Sequence, residues 1–388
     1  MRVVLAPDGF RGLLSPQEAA AALAAGWRAG APHDDVTQVP LTDGGPGFVA
    51  TLHAVLGGRL VPVVARGPWG EPVPATVLLH GGVAYVESAQ ALGLALVPPD
   101  RRDPSRTSSA GLGDLLLAAR ETGATRVVVG LGGSATNDAG MGMLAALGRA
   151  DEASPLAGGG GGLLEATAAD FAGLTELRAD WEDVELVVAC DVDAPLLGLQ
   201  GASGGFAAQK GATPEQAQFL ERALAHAARL AVAAVGQGGR PDLLTGRPVS
   251  DRLALLPGAG AAGGTGFGLA VLGARLLPGA ALVAGAVGLD ERLAGADVVV
   301  TGEGRFDWQS LHGTVVAEVA ERALTHGVPT VVIAGEVLVG RREQAAAGIS
   351  AAYAVSSTPE QVEAALADPA GTLERRAAAV ARTWSPPR

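Results

Sequence analysis

At 388 residues, 48% of them apolar and 18% charged, the chain is longer than one ordinary core, and two globular domains are expected. A net charge of −12 argues against a nucleic-acid partner, which would need a basic face, but leaves room for a nucleotide held by backbone N–H groups. Cys190 is the only cysteine, which excludes an intrachain disulfide and fits a reducing, cytoplasmic compartment.

The chain opens Met1-Arg2-Val3-Val4-Leu5-Ala6-Pro7-Asp8, an apolar run too short for a signal peptide and stopped at once by an acid. No stretch has the length and continuity of a membrane span. Residues 3–6 are predicted as a buried parallel strand. Ser15 and Glu18 form an S-x-x-E capping box that opens a helix over 16–30. Residues 36–41 form a second strand, ending in Thr42-Asp43-Gly44-Gly45 with a helix after it. This β-loop-α alternation points to a parallel sheet with helical crossovers.

Beyond residue 60 the pattern changes. Strands are predicted at 60–65, 73–80 and 83–87, separated by Gly67-Pro68 and Gly81-Gly82, the spacing of a mixed or antiparallel stretch. Alternation resumes from Leu112: a strand at 127–131 runs into Gly132-Gly133-Ser134-Ala135-Thr136-Asn137-Asp138, with a helix from about Asp138. The glycine run at 158–162 reads as a surface loop. A strand at 186–190 meets Asp191-Val192-Asp193. The last hundred residues return to the alternation of the first sixty. A strand at 296–301 ends in Gly302-Glu303-Gly304-Arg305, and a helix near 313–326, strands at 328–335 and 351–355, and two terminal helices follow. The two ends are alike and the middle differs. The expected fold class is therefore α/β with two domains: a Rossmann- or flavodoxin-like parallel-sheet domain built from both termini (1–60 and 285–388) and an inserted mixed α/β domain (61–284).

Open parallel sheets bind ligands beyond the carboxyl ends of their strands. The Gly- and Asp-rich clusters fall at such places: Asp8, Asp43-Gly44-Gly45, Gly132-Gly133-Ser134, Asp191 with Asp193, and Gly302-Glu303-Gly304. Glycine lets the backbone approach a ligand, and the helix that follows offers unpaired N–H groups to an anion. Any one cluster could be an ordinary turn with a capping Asp; five at equivalent places make that much less plausible for the set. The 132–138 segment is no Walker A loop, because no Gly-Lys-Ser/Thr follows. Gly258-Ala259-Gly260-Ala261-Ala262-Gly263 matches G-x-G-x-x-G, but a short run ending at Pro257 precedes it and no acid stands about 20 residues on. It reads as a glycine hinge or a second phosphate loop, and an NAD-dependent oxidoreductase would rest on it alone.

Phosphoryl transfer needs Mg²⁺ on one or two carboxylates, cations on the phosphates and a carboxylate near the nucleophilic hydroxyl. Asp8, Asp43, Asp191, Asp193, Glu303 and Asp307 exceed that number, so some are structural. Arg11, Lys210 and Arg305 are the candidate cations. Lys210 is the only lysine among 28 basic residues, in a chain where arginine otherwise serves. A retained lysine marks a place that needs a compact ammonium. The six histidines show no H-E-x-x-H spacing, and no G-x-S-x-G elbow is present.

Side by side, these segments resemble the bacterial glycerate kinase family, in its glycerate 2-kinase branch. The matching stretches run in order along nearly the whole chain: Ala6-Pro7-Asp8 with Phe10, Asp43-Gly44-Gly45, Gly130 to Asp138, Ala189-Cys190-Asp191-Val192-Asp193, Gly201-Ala202-Ser203, Gln209-Lys210-Gly211-Ala212, Pro257 to Gly264, and Thr301-Gly302-Glu303-Gly304-Arg305. The chain departs from the family pattern at Gly9 and Arg11, at Pro46 where an acid is usual, and at Thr314 where a lysine is usual. The resemblance implies transfer of the ATP γ-phosphate to D-glycerate, giving 2-phosphoglycerate, with Mg²⁺ and a site in a cleft between the two domains. Asp43, Asp191 and Lys210 are then the expected catalytic residues, with Asp191 and Asp43 as metal or base carboxylates in either order. Asp8, Arg11, Asn137, Asp193 and Arg305 are expected at the acid substrate. Gly132, Gly133, Ser134, Gly258, Gly260, Gly263, Gly264 and Glu303 are expected at the nucleotide. A kinase of another small hydroxy acid and a non-catalytic nucleotide- or metabolite-binding protein stay open as alternatives, as does a homo-oligomer.

Overall fold

Val and Ile dominate the central strand runs, and those strands are buried on both faces, as parallel sheets under helical crossovers require. The computed structural model describes residues 1–10, 12–148, 150, 153–236 and 250–385. The chain divides into two compact units, one of Met1–Asp43, Ala50–Gly57 and Pro278–Arg388, the other of Gly44–Val49 and Gly58–Leu277.

The first unit holds a five-stranded sheet in the order Ile349–Ala354, Thr330–Ala334, Val298–Thr301, Arg2–Leu5, Asp35–Gln38. All four pairings are parallel, with Val3 opposite both Val36 and Val298. The second strand is shorter and earlier than the predicted 36–41, although Val39 N and Leu41 N beyond its end still donate to Leu5 O and Pro7 O. Helix Pro16–Gly30 starts where the capping box places it: Glu18 N donates to Ser15 Oγ (3.3 Å) and Ser15 N to the Glu18 carboxylate (2.8 Å). Its apolar face, with Leu23 and Trp27 fully buried, packs on Leu5, Val300, Ile333 and Leu373. The strand order reverses between Arg2–Leu5 and Val298–Thr301, so the loops carrying Asp8 and Glu303 leave neighbouring strands at the topological switch point.

The second unit holds a six-stranded mixed sheet: Arg59–Arg66, Pro72–His80, Val83–Glu87, Arg126–Gly130, Glu185–Ala189 and Arg275–Leu277. The first two pairings are antiparallel and the remaining three parallel. The change follows the connections. Gly81-Gly82 makes a two-residue hairpin with both φ positive (56° and 78°), whereas helix Ala110–Glu121 provides a crossover between parallel strands.

Two further sequence expectations need correction. The glycine run at 158–162 is a surface loop only at Gly158; Gly159 and Gly160 are buried. Gly160 opens a 3₁₀ turn, Gly160–Glu165, and a Cβ on it would stand 2.2 Å from the Asn137 carbonyl oxygen. The glycines are there because backbone packs on backbone, which composition alone does not distinguish from an exposed loop. The helix expected from about Asp138 begins three residues later, as Met141–Leu147, because Asp138 is spent on the turn before it.

Candidate active site

Three parallel strands of the second unit end side by side, with Glu87, Gly130 and Ala189 in register. Residues 44–46 cross these ends. A Cβ on Gly44 would lie 2.5 Å from the Ala189 carbonyl oxygen, and one on Gly132 would lie 2.7 Å from Gly45 Cα. Pro46, one of the departures from the family pattern, closes the crossing against Gly133, where a Cβ would meet its ring at 2.8 Å. Sequence reasoning passed over the residue that fixes this arrangement. Glu87, 7% exposed, accepts from Gly47 N (2.9 Å) and Val49 N (3.1 Å). Burial pushes its carboxyl pKa upward, and the two backbone donors oppose that rise. The available signal was an acid closing an otherwise apolar strand. Glu87→Gln keeps one acceptor but turns an N–H₂ donor towards a backbone N–H, which is expected to cost about 1–3 kcal/mol in urea unfolding. An unchanged unfolding midpoint would show that Glu87 does not hold the crossing.

The loop after Gly130 carries most of the polar chemistry. Lys210, 4% exposed, donates from Nζ to Ser134 Oγ (2.9 Å) and to the Thr136 carbonyl (2.6 Å). Burial pulls its pKa down to about 7, against an upward pull from the Asp138 charge. Asp138 is fully buried and takes four donors: Ser109 N (2.7 Å), Ser109 Oγ (2.8 Å), Gly140 N (3.1 Å) and Gly142 N (3.3 Å). Burial raises its pKa, and these donors work the other way. Asn137, also fully buried, donates to Ser203 Oγ (2.9 Å), while its Oδ1 meets no donor among the described residues.

Residues 258–264, read from sequence as a hinge or second phosphate loop, pack directly on this segment. Ala139 N donates to Gly263 O (3.0 Å), and a Cβ on Gly263 would lie 1.8 Å from the Thr136 carbonyl oxygen. Gly258, Gly260, Gly263 and Gly264 are all buried, so their glycine content has a packing cause, and a free hinge is not what they form. Among the described residues the only non-glycine positions with positive φ are Ala139 (55°) and Ala262 (51°), one in each of these apposed loops. Backbone strain of this kind gathers where surrounding structure holds a functional geometry in place.

Asp191 is half-buried and Asp193 exposed, on a segment tied to the same loops: Gly260 N donates to Ala194 O (2.9 Å), and a Cβ on Gly258 would meet Cys190 Sγ at 2.8 Å. Asp43 is an exposed residue at the end of the first unit's opening segment. In that unit Asp8 and Glu303 are both half-buried; Asp8 N donates to Gly302 O (2.9 Å), and the Asp8 carboxylate accepts from Gly9 N (2.7 Å). Arg305 lies 3.6 Å from both Asp307 and Glu336, so two acids already share the charge that sequence assigned to a substrate carboxylate. Arg11 lies outside the described residues. Thr314 caps helix Val315–Thr325, its Oγ1 accepting from Ala317 N and donating to Ser310 O, a local reason for a hydroxyl at that position.

The candidate metal ligands are all carboxylates. Among the described residues no group of three or more His, Cys, Asp or Glu side chains is placed to hold a metal ion. An all-oxygen donor set without a closed protein cage suits Mg²⁺, which keeps water and phosphate oxygens in its shell, and does not suit zinc. No helix among the described residues is long and apolar enough to cross a membrane.

Comparison with known proteins places this geometry in context. The model of the glycerate kinase family matches residues 3–385. Glycerate kinase of Bacillus subtilis is 38% identical over 388 residues, covering 98% of this chain and 97% of the relative. Glycerate 2-kinase of Escherichia coli is 40% identical over 343 residues, covering 87% and 86%. A crystal structure of a Salmonella typhimurium protein assigned as glycerate kinase 2 superposes with a TM-score of 0.77 at 37% identity, covering 99% of this chain and 98% of that one.

Proposed function

The chain belongs to the glycerate kinase family, and from that membership we propose that it transfers the γ-phosphoryl group of ATP to D-glycerate, giving 2-phosphoglycerate and ADP. The observation that carries the chemistry is the buried Lys210 ammonium seated on the glycine loop through Ser134 and Thr136. Phosphoryl transfer asks a protein mainly for positioning and charge neutralisation, and a desolvated cation held in place by a hydroxyl and a backbone carbonyl of the glycine loop supplies both. The choice of the 2-position is supported by the 40% identity to the E. coli glycerate 2-kinase.

In this reading Gly132, Gly133 and Ser134 cradle phosphate oxygens, and the buried 258–264 segment holds that cradle in shape. Lys210 carries positive charge to the group in transfer. Asp43 and Asp191 are the two working carboxylates, one towards Mg²⁺ and one accepting the proton of the C2 hydroxyl as its oxygen bonds to phosphorus. Whichever of Asp43 and Asp191 holds Mg²⁺ would do so with the nucleotide bound, and the ion would supply further neutralisation of phosphate charge. Asp8, Asn137 and Asp193 serve the acid substrate.

The test is ADP release measured across D-glycerate and related hydroxy acids, with product position read by coupling to enolase without a mutase. Enolase accepts 2-phosphoglycerate directly, so turnover coupled through it alone is the expected result. ATP binding without turnover of any acid would refute the proposal.

A further inference from the structure

We propose that Arg102 is an oxyanion-binding residue of this site, holding either the carboxylate of the acid substrate or a phosphate of the nucleotide. The inference rests on the kinase reading above and adds a residue that sequence inspection did not single out.

The segment that contains Arg102 is sewn to the glycine loop. Thr107 Oγ1 donates to Ala135 O (2.9 Å), and Ser109 donates to Asp138 from both N and Oγ. At the other end of the segment, Arg102 packs on the residue that follows Lys210. A Cβ on Gly211, where φ is 96°, would lie 2.6 Å from the Arg102 carbonyl oxygen and 2.8 Å from its Cβ. The Arg102 backbone is therefore built in against the residue that follows the lysine.

Its neighbours are engaged elsewhere. Arg101 and Arg106 stand over the ring of Trp69, at 5.5 and 5.0 Å from its centre. The adjacent acid, Asp103, accepts from Ser105 N (3.0 Å) and Ser105 Oγ (2.6 Å). Among the described residues no carboxylate lies within ion-pair distance of Arg102, and its Nε is buried without an acceptor. A guanidinium cannot shed its proton, and a buried donor is ordinarily matched by an acceptor. In a chain of net charge −12, with acids in excess, a half-buried arginine left without one is shaped for a ligand. A planar fork of donors fits the paired oxygens of a carboxylate or phosphate.

Wild-type turnover, measured first, reports on the kinase reading by itself. Arg102→Gln is then expected to raise KM for one of the two substrates about tenfold or more while kcat changes less than about threefold, with Arg102→Lys recovering part of the loss. A rise confined to glycerate assigns the carboxylate, and one confined to ATP assigns the phosphate. Both KM values within about twofold of wild type overturn the proposal. A measurement on wild type covers the case in which the variants do not fold. Phenylglyoxal modification of Arg102, mapped by peptide mass spectrometry, should slow about fivefold or more with D-glycerate or with ADP. Inorganic phosphate is the probe if no acid turns over, and absence of protection by all three ligands is again decisive against Arg102.

Discussion

Lys210→Ala is expected to lower kcat/KM by about a hundredfold or more, on the order of 3 kcal/mol of transition-state stabilisation. Two effects act together. The ammonium is the cation placed against the glycine loop, so its loss removes charge neutralisation for the phosphoryl group in transfer. The same side chain ties Ser134 to Thr136, so its loss also slackens the cradle. A pH profile separates the charge from the tie. Burial has pulled the Lys210 pKa from 10.5 down to about 7, so in the free protein the ammonium is intact below that value and lost above it. Wild-type kcat/KM should therefore fall as pH rises through about 7, and Lys210→Arg, which does not titrate there, should lack that limb whatever its absolute rate. A near-wild-type kcat/KM for Lys210→Ala would remove the residue from the mechanism.

Gly263→Ala is expected to give the largest loss of stability, about 3–5 kcal/mol in urea unfolding. At φ 70° an added Cβ costs roughly 1–2 kcal/mol in backbone strain alone. It would also stand 1.8 Å from the Thr136 carbonyl oxygen and 2.8 Å from Asn137 Cα, backbone atoms that no rotamer change can move away. Gly123→Ala is the control. Its φ is 78° but nothing lies within 4 Å, so it should lose only the strain, about 1 kcal/mol. Equal losses for the two variants would show that the close approach at Thr136 carries no energy. Activity should fall with stability in Gly263→Ala, because Thr136 is also an acceptor of Lys210.

Glu87 and Asp138 show why parts of the site escaped the sequence. Each is an acid in a position where acids are common, and nothing local says that its oxygens are consumed by backbone donors. Both donors to Glu87, Gly47 and Val49, lie far along the chain, and for Asp138 distant Ser109 adds two donors to the nearby Gly140 N and Gly142 N. Arg305 gives the converse case. Its motif suggests a free cation, yet Glu336, brought alongside by the pairing of Arg305–Phe306 with Glu336–Val337, shares its charge with Asp307.

Local signals were enough for what depends on neighbours in sequence. The capping box set the start of the first helix, Gly81-Gly82 set the hairpin, and β-branched runs set the buried strands, because each rests on short-range sterics or hydrogen bonds. The family likewise followed from motifs in order, and a retained lysine in an arginine-rich chain was visible before any fold was known. Glycine was the residue whose meaning sequence could not decide. At 132–133, at 158–162 and at 258–264 the same composition suggested a phosphate cradle, a surface loop, and a hinge or second phosphate loop. Only the tertiary structure showed that each run is pressed against another part of the chain, the Gly45 backbone and the Pro46 ring in the first case, the Asn137 backbone in the second and the Thr136 backbone in the third. The absence of a side chain is a local fact, but what occupies the space is fixed by a partner tens of residues away or more.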